Sequence, residues 1–375
     1  MRRHASRSPQ THPAPAPSPT AQPRRSRPHR AIAVALVSAL TAAALTSCAE
    51  KPANADPDRN AGGTGKSITV GLTYTPDIQF AAFYMAEANG YYKDAGLNVT
   101  IRHHGAAEDI FGALKSGKED VLYAGGTEML QARSKNVPIV NVASFYQTYP
   151  VALIVPEDSP IKKPADLKGR TIGTPGPYGE TYYGLLALLK EAGLKPQDAD
   201  IKYIGFTQHA ALTGKKVDGV MGYLSNDTVA FEESGKPVRS LKPASGNGEG
   251  NDNENDRLVG VGLGALKDTL GKRKEDIRAF VSASLRGLRY AIDHPEETVT
   301  RSQEFVPGLS DPRRRKKALA ILKSTTALMR NDKNGLGHND PGKWNRMADF
   351  MRDQGLLDKP VAPEEAYTNA YLRER

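Results

Sequence analysis

From residue 68 onward, short apolar strands alternate with amphipathic helices, which predicts an α/β fold built as two βα lobes with parallel-rich sheets. Three observations carry this. The chain of 375 residues is too long for one small domain and suits two lobes of ordinary size. The alternation persists from residue 68 to residue 234. A pattern also recurs: residues 113–121 (ALKSGKEDV) echo residues 211–220 (ALTGKKVDGV), each reading as a helix end, a Gly stop, a Lys-rich turn, an Asp and a strand.

The elements follow in order. Residues 68–74 alternate like a strand. Phe80, Phe83, Tyr84 and Ala88 then fall on one helical face, stopped by Gly90. Residues 97–102 read as a strand, 109–116 as a helix, 121–123 as a short strand, 127–134 as a helix and 139–145 as a β-branched strand. An extended apolar stretch, 149–159, leads into the second lobe. There 171–173 is a strand, the helix with Tyr182, Leu185, Leu186 and Leu189 on one face ends at Gly193, and strands at 201–204 and 219–223 alternate with helices at 208–213 and 227–234. Residues 258–263 read as a strand, and Ile277, Phe280, Val281, Leu285, Leu288 and Ile292 share a helical face closed by His294-Pro295.

The expected organisation is a signal peptide over 1–47, a tether over 48–66, the first part of lobe 1 over 67–150, lobe 2 over 151–243, a flexible loop near the hinge over 244–257, and completion of lobe 1 with C-terminal helices over 258–375. Residues 145–156 and 242–258, where the alternation lapses, are the two expected hinge crossings.

Charge and cysteine content exclude several classes. The formal net charge is +9, but residues 1–47 hold seven arginines and no acid, leaving 44 basic against 42 acidic residues. That near-neutral remainder offers no case for nucleic-acid binding. The basic run 313–317 lacks stacking aromatics and reads as a solvated face. The one cysteine excludes a disulfide framework, a cysteine zinc site and an iron–sulfur cluster. It follows an arginine-rich segment and an apolar run, 31–45, too short for a membrane span of about 20 residues. The ending Leu45-Thr46-Ser47-Cys48 resembles a bacterial lipobox, which implies lipidation at Cys48. Arg24-Arg25 suits either ordinary or twin-arginine export. The alternating acids Asp252, Glu254 and Asp256 lack calcium-loop spacing.

No His-Glu-x-x-His, Gly-x-Ser-x-Gly, Walker A or Gly-x-Gly-x-x-Gly motif occurs. No catalytic residue, metal site or cofactor is expected, and adjacent His103 and His104 on a strand end would face opposite ways. The candidate site lies in four loops at strand ends, where open α/β sheets bind ligands. They supply the aromatic plates Tyr74, Phe80, Tyr178 and Tyr223 and the carboxylates Asp77 and Glu180. Gly126 and Thr127 offer amides at a helix start, and Asn226 lies in the fourth loop. Asp77 and Glu180 suit ligand N–H groups and helix capping equally well.

The runs Thr75-Pro76, Tyr84-Met85-Ala86, residues 90–99 (GYYKDAGLNV), 164–173 (PADLKGRTIG) and 214–219 (GKKVDG), and the last helix around 344–357, resemble the NMT1/THI5-like family of bacterial solute-binding proteins. The resemblance, over roughly residues 68–370, implies a periplasmic-binding-protein type II fold that closes on a small molecule. It implies a monomer that hands its ligand to an ABC permease and ATPase, and no enzyme activity. Family ligands include thiamine pyrimidine precursors, flavins and alkanesulfonates. The pyrimidine pattern Trp-x-Pro-Asn-x-x-His reads here Tyr74, Pro76, Asp77 and Phe80, so only the proline is kept. The loop residues and the resemblance together point to a small aromatic N-heterocycle such as a thiamine pyrimidine precursor. A flavin or an alkanesulfonate such as taurine are the alternative ligands, and a surface lipoprotein without a transport role is the alternative class. The fungal enzymes of the family use a sacrificial histidine and a cysteine cluster. This chain has Phe80 at the histidine position and no such cluster.

Overall fold

The computed structural model describes residues 66–105, 108–243 and 257–372. The signal segment, Cys48, nearly all of the expected tether and the loop residues 244–256 lie outside the described residues.

In chain order the elements are β1 (Lys66–Leu72), α1 (Ala81–Ala88), α2 (Tyr91–Asp94), β2 (Leu97–His103), α3 (Gly112–Lys115), β3 (Val121–Gly125), α4 (Gly126–Ser134) and β4 (Ile139–Ser144). After a crossing come β5 (Val151–Pro156), β6 (Thr171–Thr174), α5 (Gly179–Glu191), β7 (Asp200–Tyr203), α6 (Gln208–Thr213), β8 (Gly219–Tyr223), α7 (Asp227–Glu233) and β9 (Val238–Leu241). The chain returns through β10 (Val261–Leu266) and ends in α8 (Lys267–Lys272), α9 (Lys274–Asp293), α10 (Pro295–Arg301), α11 (Pro312–Met329) and α12 (Pro341–Asp353).

Two five-stranded sheets result, ordered β2-β1-β3-β10-β4 and β7-β6-β8-β5-β9. The orders are the same plan. In each, four strands run parallel and the fourth position holds one antiparallel strand. The antiparallel strands, β10 and β5, are the ones that follow a crossing between lobes, so each enters its sheet from the other side. The sequence echo falls at the equivalent place in both lobes and does the same work. Asp120 accepts from the Thr69 amide at 2.9 Å and its own amide donates to the Thr69 carbonyl. Asp218 accepts from the Thr171 amide at 2.8 Å and donates likewise to the Thr171 carbonyl.

Three expected elements shift. The strand expected at 258–263 forms at Val261–Leu266. Leu258 and Val259 are instead buried against α12, with the Val259 amide 3.4 Å from the Met347 sulfur. The helix expected from 109 begins at Gly112, because the Asp109 carboxylate takes the Phe111 amide in a local turn. The third is α12, within the stretch assigned to completing lobe 1. It packs on the second lobe: Trp344, Met347, Phe350 and Met351 share a core with Val151, Leu185 and Leu189, and Lys190 of α5 pairs with Asp353. The first-lobe core joins β1, α1 and α9, with Ile68, Val70, Phe83, Tyr84, Phe280 and Leu288 buried together. Helix α11 touches both the turn before α1 and α7, so it bridges the lobes.

Candidate functional site

A cavity of about 370 Å³ lies at the carboxyl ends of the parallel strands of both sheets. Its first-lobe wall runs from His104 past β2, through Thr73 and Tyr74 past β1 and Tyr123 and Gly125 on β3, to Val261 on β10. These four strands are neighbours. At the usual strand separation they span about 14 Å. The second-lobe wall comes from the β6–α5 loop (Pro175, Tyr178, Glu180), the β7–α6 loop (Phe206) and the β8–α7 loop (Tyr223, Asn226, Asp227).

The aromatic residues divide by environment. Phe80 is 3% exposed and meets the rings of His103 and Tyr123 edge to face at 5.4 and 6.1 Å. Tyr178 is 52% exposed, standing over Gly176, where any Cβ would enter its ring. Tyr74 in the first lobe and Phe206 in the second meet edge to face with centroids 5.7 Å apart, closing one side of the cleft. Large apolar groups left half in solvent at one place mark a binding surface.

Two carboxyls meet at the lobe junction. Glu128, in the first turn of α4, reaches back to the Gly125 amide at 2.8 Å. Glu180, in the first turn of α5, is 3% exposed and accepts from the Thr127 hydroxyl, a bond that ties the lobes. Gly125 admits this approach because a Cβ there would overlap the Glu180 carboxyl. The Tyr149 hydroxyl fixes the Glu180 carbonyl at 2.6 Å. Burial first, then the charge of Glu128, pushes Glu180 up to about 8, and burial likewise raises Glu128. Glu180 Oε2 has no partner among the described residues. A protonated carboxyl in a half-apolar wall both donates and accepts, which suits the edge of a nitrogen heterocycle. Asp227, raised by burial to about 6, accepts from the Tyr223 amide at 2.7 Å. No lysine or arginine lines the cavity among the described residues.

The structure brings Tyr74, Phe80, Tyr178, Glu180, Tyr223 and Asn226 together on the wall. It does not bring Asp77, Gly126 or Thr127 there. Asp77, expected to take ligand N–H groups, caps the turn before α1, accepting the Gln79 amide at 3.1 Å. Gly126 and Thr127 were expected to present free amides at a helix start. The Gly125 and Gly126 amides are already taken, by Glu128 and by the Gly260 carbonyl, so no anion-binding nest is open there. Thr127 is fully buried and serves Glu180. Sequence reasoning missed Glu128, His104, Glu108 and Phe206. Glu128 carries the ordinary signature of a first-turn acid, which hides it. Phe206 follows a parallel strand, and the strand-end rule applied to β7 would have found it.

A two-lobed α/β molecule with its cavity between equivalent strand ends has the architecture of periplasmic binding proteins. The aliphatic sulphonate binding protein SsuA from Escherichia coli shares this fold, with a TM-score of 0.62 at 18% identity over 80% of this chain and 91% of that one. The chain belongs to the NMT1/THI5-like family, which its residues 77–298 match. It is 33% identical to the riboflavin-binding protein RibY of Chloroflexus aurantiacus over 90% of this chain and 95% of that protein. It is 24% identical to the formylaminopyrimidine-binding protein of Halalkalibacterium halodurans, over 81% of this chain and 90% of that protein.

Proposed function

We propose that this protein is the solute-binding component of an ABC importer, anchored outside the membrane through lipidated Cys48, and that its ligand is an uncharged, flavin-sized aromatic N-heterocycle. One observation carries the size. The first-lobe wall crosses four neighbouring strands, and the cavity of about 370 Å³ falls in the range for drug-sized ligands. A lone pyrimidine covers little more than one strand spacing and leaves most of the wall bare. The similarity to RibY supports the larger ligand.

Charge argues against the sulfonate alternative. Glu108, Glu128, Glu180 and Asp227 line the cavity without a cationic side chain. Burial favours the protonated forms of Glu180 and Glu128, and Glu108 is paired with Arg102. An anion there finds no counter-charge on the wall to replace its hydration and meets the ionised Asp227, where like unit charges at 4 Å cost about 4 kcal/mol. Binding without turnover fits the wall's chemistry: the histidine on the wall among the described residues, His104, is bonded to Glu119, and the family resemblance implies Phe80 where the fungal enzymes carry their histidine.

Fluorescence titration of the mature protein tests the reading. Riboflavin is expected to bind with a dissociation constant of about 1 μM or below. Flavin mononucleotide, which adds a phosphate, is expected to bind at least about a hundredfold more weakly. Equal affinity for both, or tight binding of an alkanesulfonate with none of riboflavin, would refute it. For the anchor, Cys48→Ala is expected to abolish incorporation of labelled fatty acid and release the protein from membranes. Retention of label by the variant would exclude Cys48 as the modified residue.

A further inference from the structure

At the β2 end of the cavity, His104 and Glu108 line the wall with no ligand group yet assigned to them. His104 is 4% exposed, and its backbone amide bonds the Leu72 carbonyl at 2.9 Å. Its Nε2 lies 2.8 Å from Oε1 of Glu119, itself buried. Facing a carboxylate, Nε2 is the donor. Nδ1 then accepts if the ring is neutral and donates if it is charged. Either way it has an unmet hydrogen bond, for it has no partner among the described residues.

Glu108 lines the same end. A single guanidinium, that of Arg102, binds Glu119 at 2.6 Å and Glu108 at 2.5 Å, so it fixes both carboxylates. The Gly105 amide adds a long bond of 3.4 Å to Glu108. The bond from Arg102 holds the Glu108 carboxyl below its usual range, so at neutral pH Glu108 only accepts. A ligand group that satisfies both neighbours must donate to Glu108 and match either state of the His104 Nδ1. A hydroxyl donates and accepts at one atom. A carboxylate pinned on one side keeps lone pairs for adjacent hydroxyls. This end differs in kind from the β3 end, where Tyr123, Tyr178, Tyr223 and Glu180 suit a flat ring.

We infer that the β2 end of the cavity is a polyol subsite, in which His104 and Glu108 hold a hydroxylated chain carried by the ring and so select ring ligands bearing such a chain over the bare ring. The inference rests on the flavin-sized reading above. It adds which end of the cavity reads which half of the ligand.

Two probes separate the halves: riboflavin, and lumiflavin, which has the same three rings with a methyl group in place of the hydroxylated chain. Both are titrated into the wild-type mature protein, His104→Leu and Glu108→Gln, with thermal melts to establish folding. Wild type is expected to prefer riboflavin by about tenfold or more, since two or more hydrogen bonds depend on the chain. Each substitution is expected to weaken riboflavin about three- to tenfold while lumiflavin stays within about twofold. Should His104→Leu fail to melt cooperatively, Glu108→Gln decides alone, because that carboxyl is partly exposed and outside the core. Equal wild-type affinity for both probes overturns the subsite and leaves the flavin reading standing. Equal weakening of both probes by the substitutions also overturns it. If neither probe binds wild type, the flavin reading fails and the subsite falls with it.

Discussion

Glu180 and Glu128 approach each other from opposite lobes, and both hold a proton more tightly in the folded cleft than in an unfolded chain. The sign of the linkage follows. Their contribution to stability is complete below the ordinary glutamate value of 4.5 and is lost as pH rises through about 8, because the folded form binds more protons than the unfolded form across that window. Glu180→Gln removes the titration and keeps an acceptor for the Thr127 hydroxyl. Melting temperatures of the two proteins from pH 5 to pH 9 are expected to converge at the acid end. Wild type should fall roughly 5–10 °C further at the alkaline end, since a rise from 4.5 to about 8 corresponds to a few kcal/mol of lost stability. Parallel curves would show that Glu180 is ionised throughout. Other groups titrate in the same range, and comparison with the variant subtracts them. At this scale the sequence was half legible. Asp77 and Glu180 look alike in sequence, each an acid in a strand-to-helix loop. Asp77 caps its own turn and bonds the Asn226 side chain, whereas Glu180 lines the cavity, its carboxyl lying in the space that the missing Cβ of Gly125 leaves.

At the scale of elements, the helical stripe Phe280, Val281 and Leu288 announces a packed face, and α9 indeed lies along α1. The pattern does not reveal how close the approach is. A Cβ on Gly287 would overlap the Ala82 carbonyl oxygen and come within 2.8 Å of the Ala86 amide nitrogen, both backbone atoms of α1. Neither can swing aside as a side chain could. Gly287→Ala is therefore expected to push α9 off α1 and cost about 1–3 kcal/mol, outweighing the gain in helix propensity of about 1 kcal/mol. Chemical denaturation measures this directly, and an unchanged or raised midpoint would mean that the helices separate without penalty. Periodicity was also silent on the destination of α12. Its apolar residues mark a buried face equally well for either lobe, and long-range contacts with α5 and β5 decide it.

For the molecule as a whole, the alternation of elements and the echo around Asp120 and Asp218 made the repeated sheet plan readable. The crossings were readable only as lapses in pattern, and the reversal of β5 and β10 follows from them. That architecture leads to a prediction about motion. The cavity reaches across both lobes, and its contacts across the cleft include the Tyr74–Phe206 ring pair and the Thr127–Glu180 hydrogen bond. An edge-to-face ring pair is worth about 0.5–1.5 kcal/mol and a hydrogen bond to a buried acid about 1–3 kcal/mol. Contacts of that size do not hold two lobes shut by themselves. A ligand that fills the space between them adds surface to both walls and shifts the balance toward closure. Small-angle scattering on ligand-stripped protein is therefore expected to give a larger radius of gyration than on protein saturated with riboflavin. Phe206→Ala is expected to widen the stripped form and leave the saturated form nearly unchanged, since the ring pair matters most when nothing else bridges the cleft. Superimposable curves from stripped and saturated wild type, with binding verified in the same samples, would mean that the lobes form one rigid body and that the ligand enters by local movement of the Tyr178 and Phe206 loops.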